Sequence, residues 1–333
     1  MSDTPNRIDR RDFLKSSVIA GAAGSAMAAG ALNADAAESE DVSPGVPCSK
    51  NKLPNGKIAG VEFSRMMLGG NLLTHYTHSR DLKYVYNLAA HYNTVKKIRE
   101  TLALAEEHGI NTMSVHNPPG IVEILQAHRR AGGKIKWIIC PTAGITDDMK
   151  AYTEMVAKLA DAGTDAFYVW GVRSDPLSRK GKKGAELIAK AVEAGKMHGV
   201  PSGVGCHDLN AVKLCEKEGV PADFYIKTFH HHKYRTGPKP EEIKGPYSEY
   251  PGYWCSCPEE TAQVMGKVKK PWIAFKIMAA GAIPPKDAFN YAFGNGADHI
   301  LVGMFDFEIA EDVKIGNAAI AASKDRKTRP WCS

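Results

Sequence analysis

The chain carries 12 histidines, and several stand where short apolar runs end. Imidazole titrates near neutral pH, so such residues can move protons, hold a polar ligand or bind a metal. The run 223–229 has the length and composition of a buried strand and ends in His230-His231-His232. His116 closes the run 112–116, and His207-Asp208 closes 202–207. His75 and His78 follow the run 65–70, Lys276 lies within 272–278, and Asp306 follows 299–304. Neighbouring residues on a strand face opposite ways, so the triple histidine is not by itself a three-ligand cluster. Parity decides which members can meet. If Thr112 and Ser114 face inward, so does His116. If Lys227 faces inward, so does His231. His207 shares its parity with Gly203 and Gly205.

That parity assembles an interior set of His116, His207, Lys227, His231 and Lys276, and two chemistries suit it. His116, His207 and His231 with Asp208 can hold a divalent metal that polarises a hydroxyl or ketone. Without a metal, a neutral histidine can remove a proton while a lysine stabilises the enolate or alkoxide. Both serve elimination, epimerisation or isomerisation, and the first also serves hydrolysis. The same residues also read as a buried polar network, although lysines are rarely buried without partners. No H-E-x-x-H and no G-x-S-x-G occurs, which argues against protease and esterase assignments. Aromatic residues crowd two loops: Tyr234, Tyr247, Tyr250, Tyr253 and Trp254 in 233–257, and Tyr76, Tyr84 and Tyr86 after the first run. Rings on such loops pack lids or offer flat faces to sugars. His75, Tyr76, Tyr234 and Trp254 are the candidate substrate contacts.

The elements that must position these groups repeat. Eight apolar runs (65–70, 112–116, 137–141, 166–171, 202–207, 223–229, 272–278 and 299–304) alternate with amphipathic helical stretches. Val95, Ile98, Leu102 and Ala105 form one helical stripe. Met149, Tyr152, Met155, Val156 and Leu159 form another. Gly109, Gly132, Gly163, Gly199, Gly219 and Gly296 stand where helices should stop. Strand and helix in alternation imply a parallel sheet, and eight units imply closure into a (β/α)8 TIM barrel. A doubly wound open sheet is the alternative, but no G-x-G-x-x-G follows the first run. Asn55-Gly56, between extended residues, predicts a tight hairpin that can plug the N-terminal end of the barrel.

The N-terminus reads as an address. Arg10-Arg11-Asp12-Phe13-Leu14-Lys15, a Gly/Ala-rich apolar stretch over 18–32 and Ala34-Asp35-Ala36 form a twin-arginine signal peptide over residues 1–36. Its expected partner is the twin-arginine export machinery, with cleavage after Ala36 and a periplasmic or otherwise exported product. The stretch is too short and too rich in small residues to persist as a membrane span. Residues 37–52 form a linker and 53–333 the barrel. A formal net charge of +6 is spread along the chain, apart from Arg179-Lys180-Gly181-Lys182-Lys183. No nucleic-acid module is present. The seven cysteines show no zinc-ribbon spacing. Cys48 and Cys332, near the mature termini, are a candidate disulfide in an oxidising compartment.

The opening hairpin followed by Ser64-Arg65-Met66-Met67-Leu68-Gly69-Gly70 resembles the start of the aldo-keto reductase family. So do 103–112, Lys276-Ile277-Met278-Ala279-Ala280-Gly281 and Ile300-Leu301-Val302-Gly303-Met304. The resemblance covers most of 53–315 and implies a hairpin-capped barrel. It also implies an Asp, Tyr, Lys and His around a nicotinamide. Aligned strand by strand, those places hold Ser114, His116-Asn117-Pro118-Pro119, Cys140-Pro141 and Trp170-Gly171, so the tetrad is unmatched. After the eighth run, where the family binds an adenosine phosphate, Phe305-Asp306-Phe307-Glu308 is acidic and repels phosphate. The chain therefore reads as an exported barrel enzyme of lyase, epimerase or isomerase type, acting on a small polar, carbohydrate-derived substrate. It would use His/Lys acid–base or metal-assisted chemistry. An NADP-dependent reductase with rearranged residues and a non-catalytic ligand-binding barrel are the alternatives.

Overall fold

The structure is a computed structural model and describes residues 53–333. The signal peptide, the linker and Cys48, and with Cys48 the expected disulfide, lie outside the described residues. Two antiparallel strands open the fold: β1 (Asn55–Ile58) and β2 (Val61–Ser64). Their turn is at Ala59-Gly60, both with positive φ, and not at Asn55-Gly56, which lies within β1. The register Ile58↔Val61 makes a two-residue connection, which favours left-handed turn residues.

Eight parallel strands follow: β3 (Met66–Gly69), β4 (Thr112–His116), β5 (Lys136–Cys140), β6 (Ala166–Val169), β7 (Ser202–Cys206), β8 (Tyr225–Thr228), β9 (Trp272–Phe275) and β10 (His299–Val302). Each pairs with its sequence neighbours, and β10 closes onto β3 through Ile300↔Met66 and Val302↔Leu68. The fold is a (β/α)8 TIM barrel. Helices α1 (Lys83–Tyr92) and α2 (Val95–Glu107) lie between β3 and β4, followed in chain order by α3 (Ile121–Arg130) and α4 (Lys150–Asp161). Then come α5 (Gly171–Ser178), α6 (Lys182–Lys196), α7 (Leu209–Lys217), α8 (Pro258–Met265), α9 (Pro285–Gly294) and α10 (Asp306–Ala322). The six glycines expected to end helices all take positive φ. Among the described residues no helix is long and apolar enough to cross a membrane.

Two apolar cores result from strand alternation. One lies inside the barrel and contains Met67, Ile138, Cys140, Tyr168, Phe224, Ile226, Ile273 and Leu301. Ile58 and Phe63 join it, both fully buried, so the hairpin plugs one end of the barrel as expected. Burying side chains of that size stabilises the fold by about 1.5–3 kcal/mol each. The other core lies between strands and helices and holds the helical stripes read from the sequence. Room inside the barrel depends on Gly203 and Gly205. A Cβ at Gly205 would meet the Tyr168 ring at 2.8 Å, and one at Gly203 would meet Phe224 at 2.7 Å.

The interior set of β8 consists of Phe224 and Ile226, whereas Tyr225 and Phe229 pack in the outer core. Lys227 and His231 therefore share a parity, but it is the parity of the helix-facing side. The Lys227 ammonium is buried against Thr228 O (2.8 Å), Thr228 Oγ1 (3.1 Å) and Cys255 Sγ (4.0 Å). His231 reaches α9, with Nε2 3.2 Å from Asp287 and its ring 4.9 Å from that of Tyr291. Alternation fixes relative facing only. Which face is inward follows from the whole sheet, and β8 has already ended at Thr228.

Candidate functional site

The strand ends opposite the hairpin plug carry a cluster of polar and aromatic side chains. Lys276, the first residue after β9, has φ +54°, a left-handed conformation that costs a non-glycine residue free energy and turns the chain sharply. Its Nζ lies 2.6 Å from His78 Nε2, and His78 Nδ1 lies 2.5 Å from Glu249 Oε1. An acceptor carboxylate on Nδ1 assigns the proton to that nitrogen. His78 Nε2 is then an acceptor for a Lys276 N–H. Burial lowers the Lys276 pKa to about 7, against the opposing pull of Glu249 and Asp175. Burial, and then Lys276, lower His78 to about 4, so the imidazole is neutral at physiological pH. Burial opposes ionisation of Glu249, but the His78 hydrogen bond and Lys276 hold it below the usual carboxylate range.

Beside this chain of contacts stand two further histidines. His116, the last residue of β4, faces the mouth as expected, with its ring 5.0 Å from Tyr76 and stacked 6.1 Å from Trp170. It is 5% exposed, and neither ring nitrogen has a hydrogen-bond partner among the described residues. Burial, and then His78, lower its pKa to about 4. His207 follows β7. Its Nδ1 lies 2.9 Å from Asp175 Oδ2, and the same carboxylate accepts the backbone N–H groups of His207 and Asp208. Tyr247 covers the His207 ring at 4.5 Å. Burial lowers the His207 pKa, and the Asp175 hydrogen bond opposes it. A carboxylate on Nδ1 fixes the tautomer, so Nε2 is the nitrogen available to a ligand.

A cavity of about 250 Å³ opens beside Lys276, lined by Leu72, His78, Trp254, Phe275, Met278 and Phe305 among others. It lies a little below the usual size of small-molecule sites, which points to a small ligand. Trp254 is fully buried. The Lys276 ammonium sits 5.3 Å from its ring centroid.

The triple histidine holds this arrangement from outside. His230 Nε2 accepts the backbone N–H of Trp254 at 2.9 Å while Nδ1 donates to His231 O at 2.9 Å. Burial lowers the His230 pKa to about 3, consistent with that acceptor role. His232 Nε2 donates to Cys255 O at 2.7 Å. His230 and His232 thus anchor the loop that brings Tyr247, Glu249 and Trp254 into the mouth.

Of the sequence candidates, His116, His207, Lys276, Tyr76 and Trp254 gather at the mouth. Lys227 and His231 do not, because both lie on the helix-facing side of β8. Asp208 caps α7, accepting the Asn210 N–H at 2.9 Å, and lies 3.9 Å from Arg179. His75 bonds Asn93 O at 2.9 Å, and the Tyr234 hydroxyl donates to Gly252 O at 2.7 Å. These two fasten loops. The expected metal set of His116, His207, His231 and Asp208 is therefore dispersed. Among the described residues no group of three or more His, Cys, Asp or Glu side chains is placed to hold a metal. Glu249, Asp175 and Trp170 were not legible as site residues. Glu249 lies in an irregular loop and Asp175 inside a helix, and nothing local marks either.

No protein-family model matches the chain, and no curated protein matches it significantly. Solved structures do resemble it. A truncated 3-deoxy-D-arabino-heptulosonate 7-phosphate synthase from Thermotoga maritima superposes with TM-score 0.45 at 9% identity, over 83% of this chain and 92% of that one. A sugar phosphate isomerase/epimerase from Parabacteroides distasonis gives 0.46 at 12%, over 78% and 94%. A mutant of Gox0644 in complex with NADPH gives 0.49 at 11%, over 83% and 96%. At these identities the likeness is one of fold, and function has to be argued from the site.

The reductase resemblance implies a nicotinamide dinucleotide, and the residues here do not fit its phosphates. The cavity offers one cation, Lys276, and that side chain is held by His78. On the β10 side the rim carries Glu308, which accepts the Phe305 N–H at 2.8 Å. Asp306 is held by Tyr92 (2.7 Å) and Lys97 (3.1 Å).

Proposed function

We propose that this barrel is an enzyme that moves protons at a carbon beside the carbonyl of a small polar, carbohydrate-derived molecule, by an isomerase, epimerase or lyase type of reaction. One observation carries the reading. Lys276, bonded to the His78–Glu249 pair, shares the mouth with His116, a neutral imidazole that lies across the Tyr76 ring from His78 and whose nitrogens have no hydrogen-bond partner among the described residues. A neutral imidazole can serve as the base in such a reaction, and a lysine at the carbonyl stabilises the enolate that forms. His207, oriented by Asp175, supplies a second proton carrier. Tyr76 and Trp170, both half-buried at the mouth, offer aromatic surface suited to sugar C–H groups.

The test is exchange of carbon-bound hydrogen in deuterated buffer, followed by proton NMR over a panel of trioses to hexoses. Exchange above the buffer rate is expected for at least one sugar, with His116→Gln slowing it by about 10²–10⁴-fold. His231→Ala, on the helix-facing side, is expected to stay within a few-fold of the wild type. Saturable binding with no exchange would replace the enzyme by a ligand-binding barrel.

The twin-arginine motif supports export of the protein to the periplasm. Changing Arg10 and Arg11 to Lys together is expected to leave unprocessed chain in the cytoplasm, read by cell fractionation. Normal export of that variant would remove this part of the proposal.

A further inference from the structure

We infer that Lys276 acts covalently, condensing with an open-chain aldehyde or ketone in the cavity at the ends of β9 and β10. The inference rests on the proton-transfer reading above and specifies how the lysine takes part in it. Three features of geometry carry it. Lys276 follows β9 in a left-handed conformation that the chain maintains at a cost, and together with His78 it lines the cavity. Among the described residues its hydrogen-bond partner is a histidine nitrogen, and no carboxylate of those residues contacts it directly. Glu249 stops at His78. A lysine meant as a permanent cation would ordinarily contact an acid directly. Placed behind an imidazole and among Trp254, Phe275 and Ile277, it is held in the surroundings that favour the free amine.

The steps balance without an external oxidant or reductant. The Nζ lone pair attacks the carbonyl carbon, forming the N–C bond as the C=O π pair moves to oxygen, which takes up a proton. The amine proton passes to His78 Nε2, the acceptor already 2.6 Å away. Loss of the hydroxyl with a proton, as water, gives an iminium. His78, which lines the cavity, or His116 or His207 from the mouth beside it, then removes the adjacent C–H proton, and the electron pair flows into the iminium to form an enamine. Return of a proton to the same carbon, on either face, regenerates the iminium, and its hydrolysis by water restores the amine and releases the product. The carbonyl must be open-chain and unphosphorylated, because the cavity is small and offers no second cation for a phosphate.

The experiment uses the purified wild-type chain with dihydroxyacetone and, separately, D-erythrose, plus sodium cyanoborohydride at pH 7. Peptide mapping then reads the mass of the reduced adduct at each lysine. Lys276 is expected to be labelled at least about tenfold faster than the exposed lysines Lys57, Lys183 and Lys217. Labelling of Lys276 no faster than theirs overturns the inference. Hydrogen exchange with the same two probes separates the two claims. Exchange without preferential labelling rejects the covalent step and retains proton transfer. Preferential labelling without exchange retains the nucleophile and rejects the proton-transfer reading.

Discussion

Replacing Lys276 by methionine is expected to slow sugar hydrogen exchange by about 10²–10⁴-fold, with the protein still folded by circular dichroism. Methionine keeps much of the length and apolar stem that pack near Trp254 and Phe275, so the fold loses little. What disappears is the one amine that the described residues bring to the cavity lining. The pH dependence adds a second reading. Burial places the Lys276 pKa at about 7, with Glu249 and Asp175 pulling the other way and neutral His78 and His207 close by. A free-amine mechanism gains rate as pH rises through about 7 and levels off above it. A lysine serving as a cation loses rate over the same interval. Exchange rates measured from pH 5 to 9 therefore decide which form acts. A Lys276→Met variant with wild-type exchange would remove the lysine from the chemistry altogether.

The second large effect concerns stability. Asp298→Ala is expected to lower the unfolding free energy by about 3–5 kcal/mol, read from urea denaturation midpoints. Asp298 precedes β10 and is completely buried. Its carboxylate lies 2.6 Å from Arg329 Nη1 and 3.3 Å from Arg326 Nη2, and accepts the backbone N–H groups of Trp272 (2.9 Å) and Cys332 (2.8 Å). Both guanidinium groups are nearly buried as well, at 1% and 3% side-chain exposure. Removing the acid leaves two cations without their counter-charge in a region that water does not reach, and frees the tail that crosses the barrel end. Asp298→Asn keeps one acceptor oxygen, for the Trp272 N–H now on Oδ2 or the Cys332 N–H now on Oδ1 but not both, so it is expected to recover only part of the loss. A loss below about 1 kcal/mol for Asp298→Ala would show that the tail contributes little to the fold.

The barrel was legible because its signals are local. Each of the eight apolar runs became a strand, each helix-ending glycine took positive φ, and the stripe through Ile98, Leu102 and Ala105 faces the outer core. Such features depend on neighbours a few residues apart, which the sequence displays directly. The hairpin was expected with the right role and the wrong turn. Asn55-Gly56 is the stronger turn dipeptide, yet Ala59-Gly60 is where Ile58 and Phe63 can both reach the barrel interior. Burial of two apolar side chains outweighed local turn preference.

The site was legible only in part, for the same physical reason. Parity along β4 placed His116 correctly because Thr112 and Ser114 are the small polar neighbours of an inward row. Along β8 the same rule linked Lys227 to His231 but gave the pair no direction. The direction came from Phe224 and Ile226, which fill the barrel once eight strands have closed around them. The His78–Glu249 contact joins residues 171 positions apart, and Lys276–His78 joins residues 198 apart. No spacing rule spans such separations. By itself the sequence determined the barrel, its plug, and the histidine and lysine types at its strand ends. Only the closed tertiary structure decided which of them meet, because closure sets the inward face of every strand and brings distant loops over one mouth.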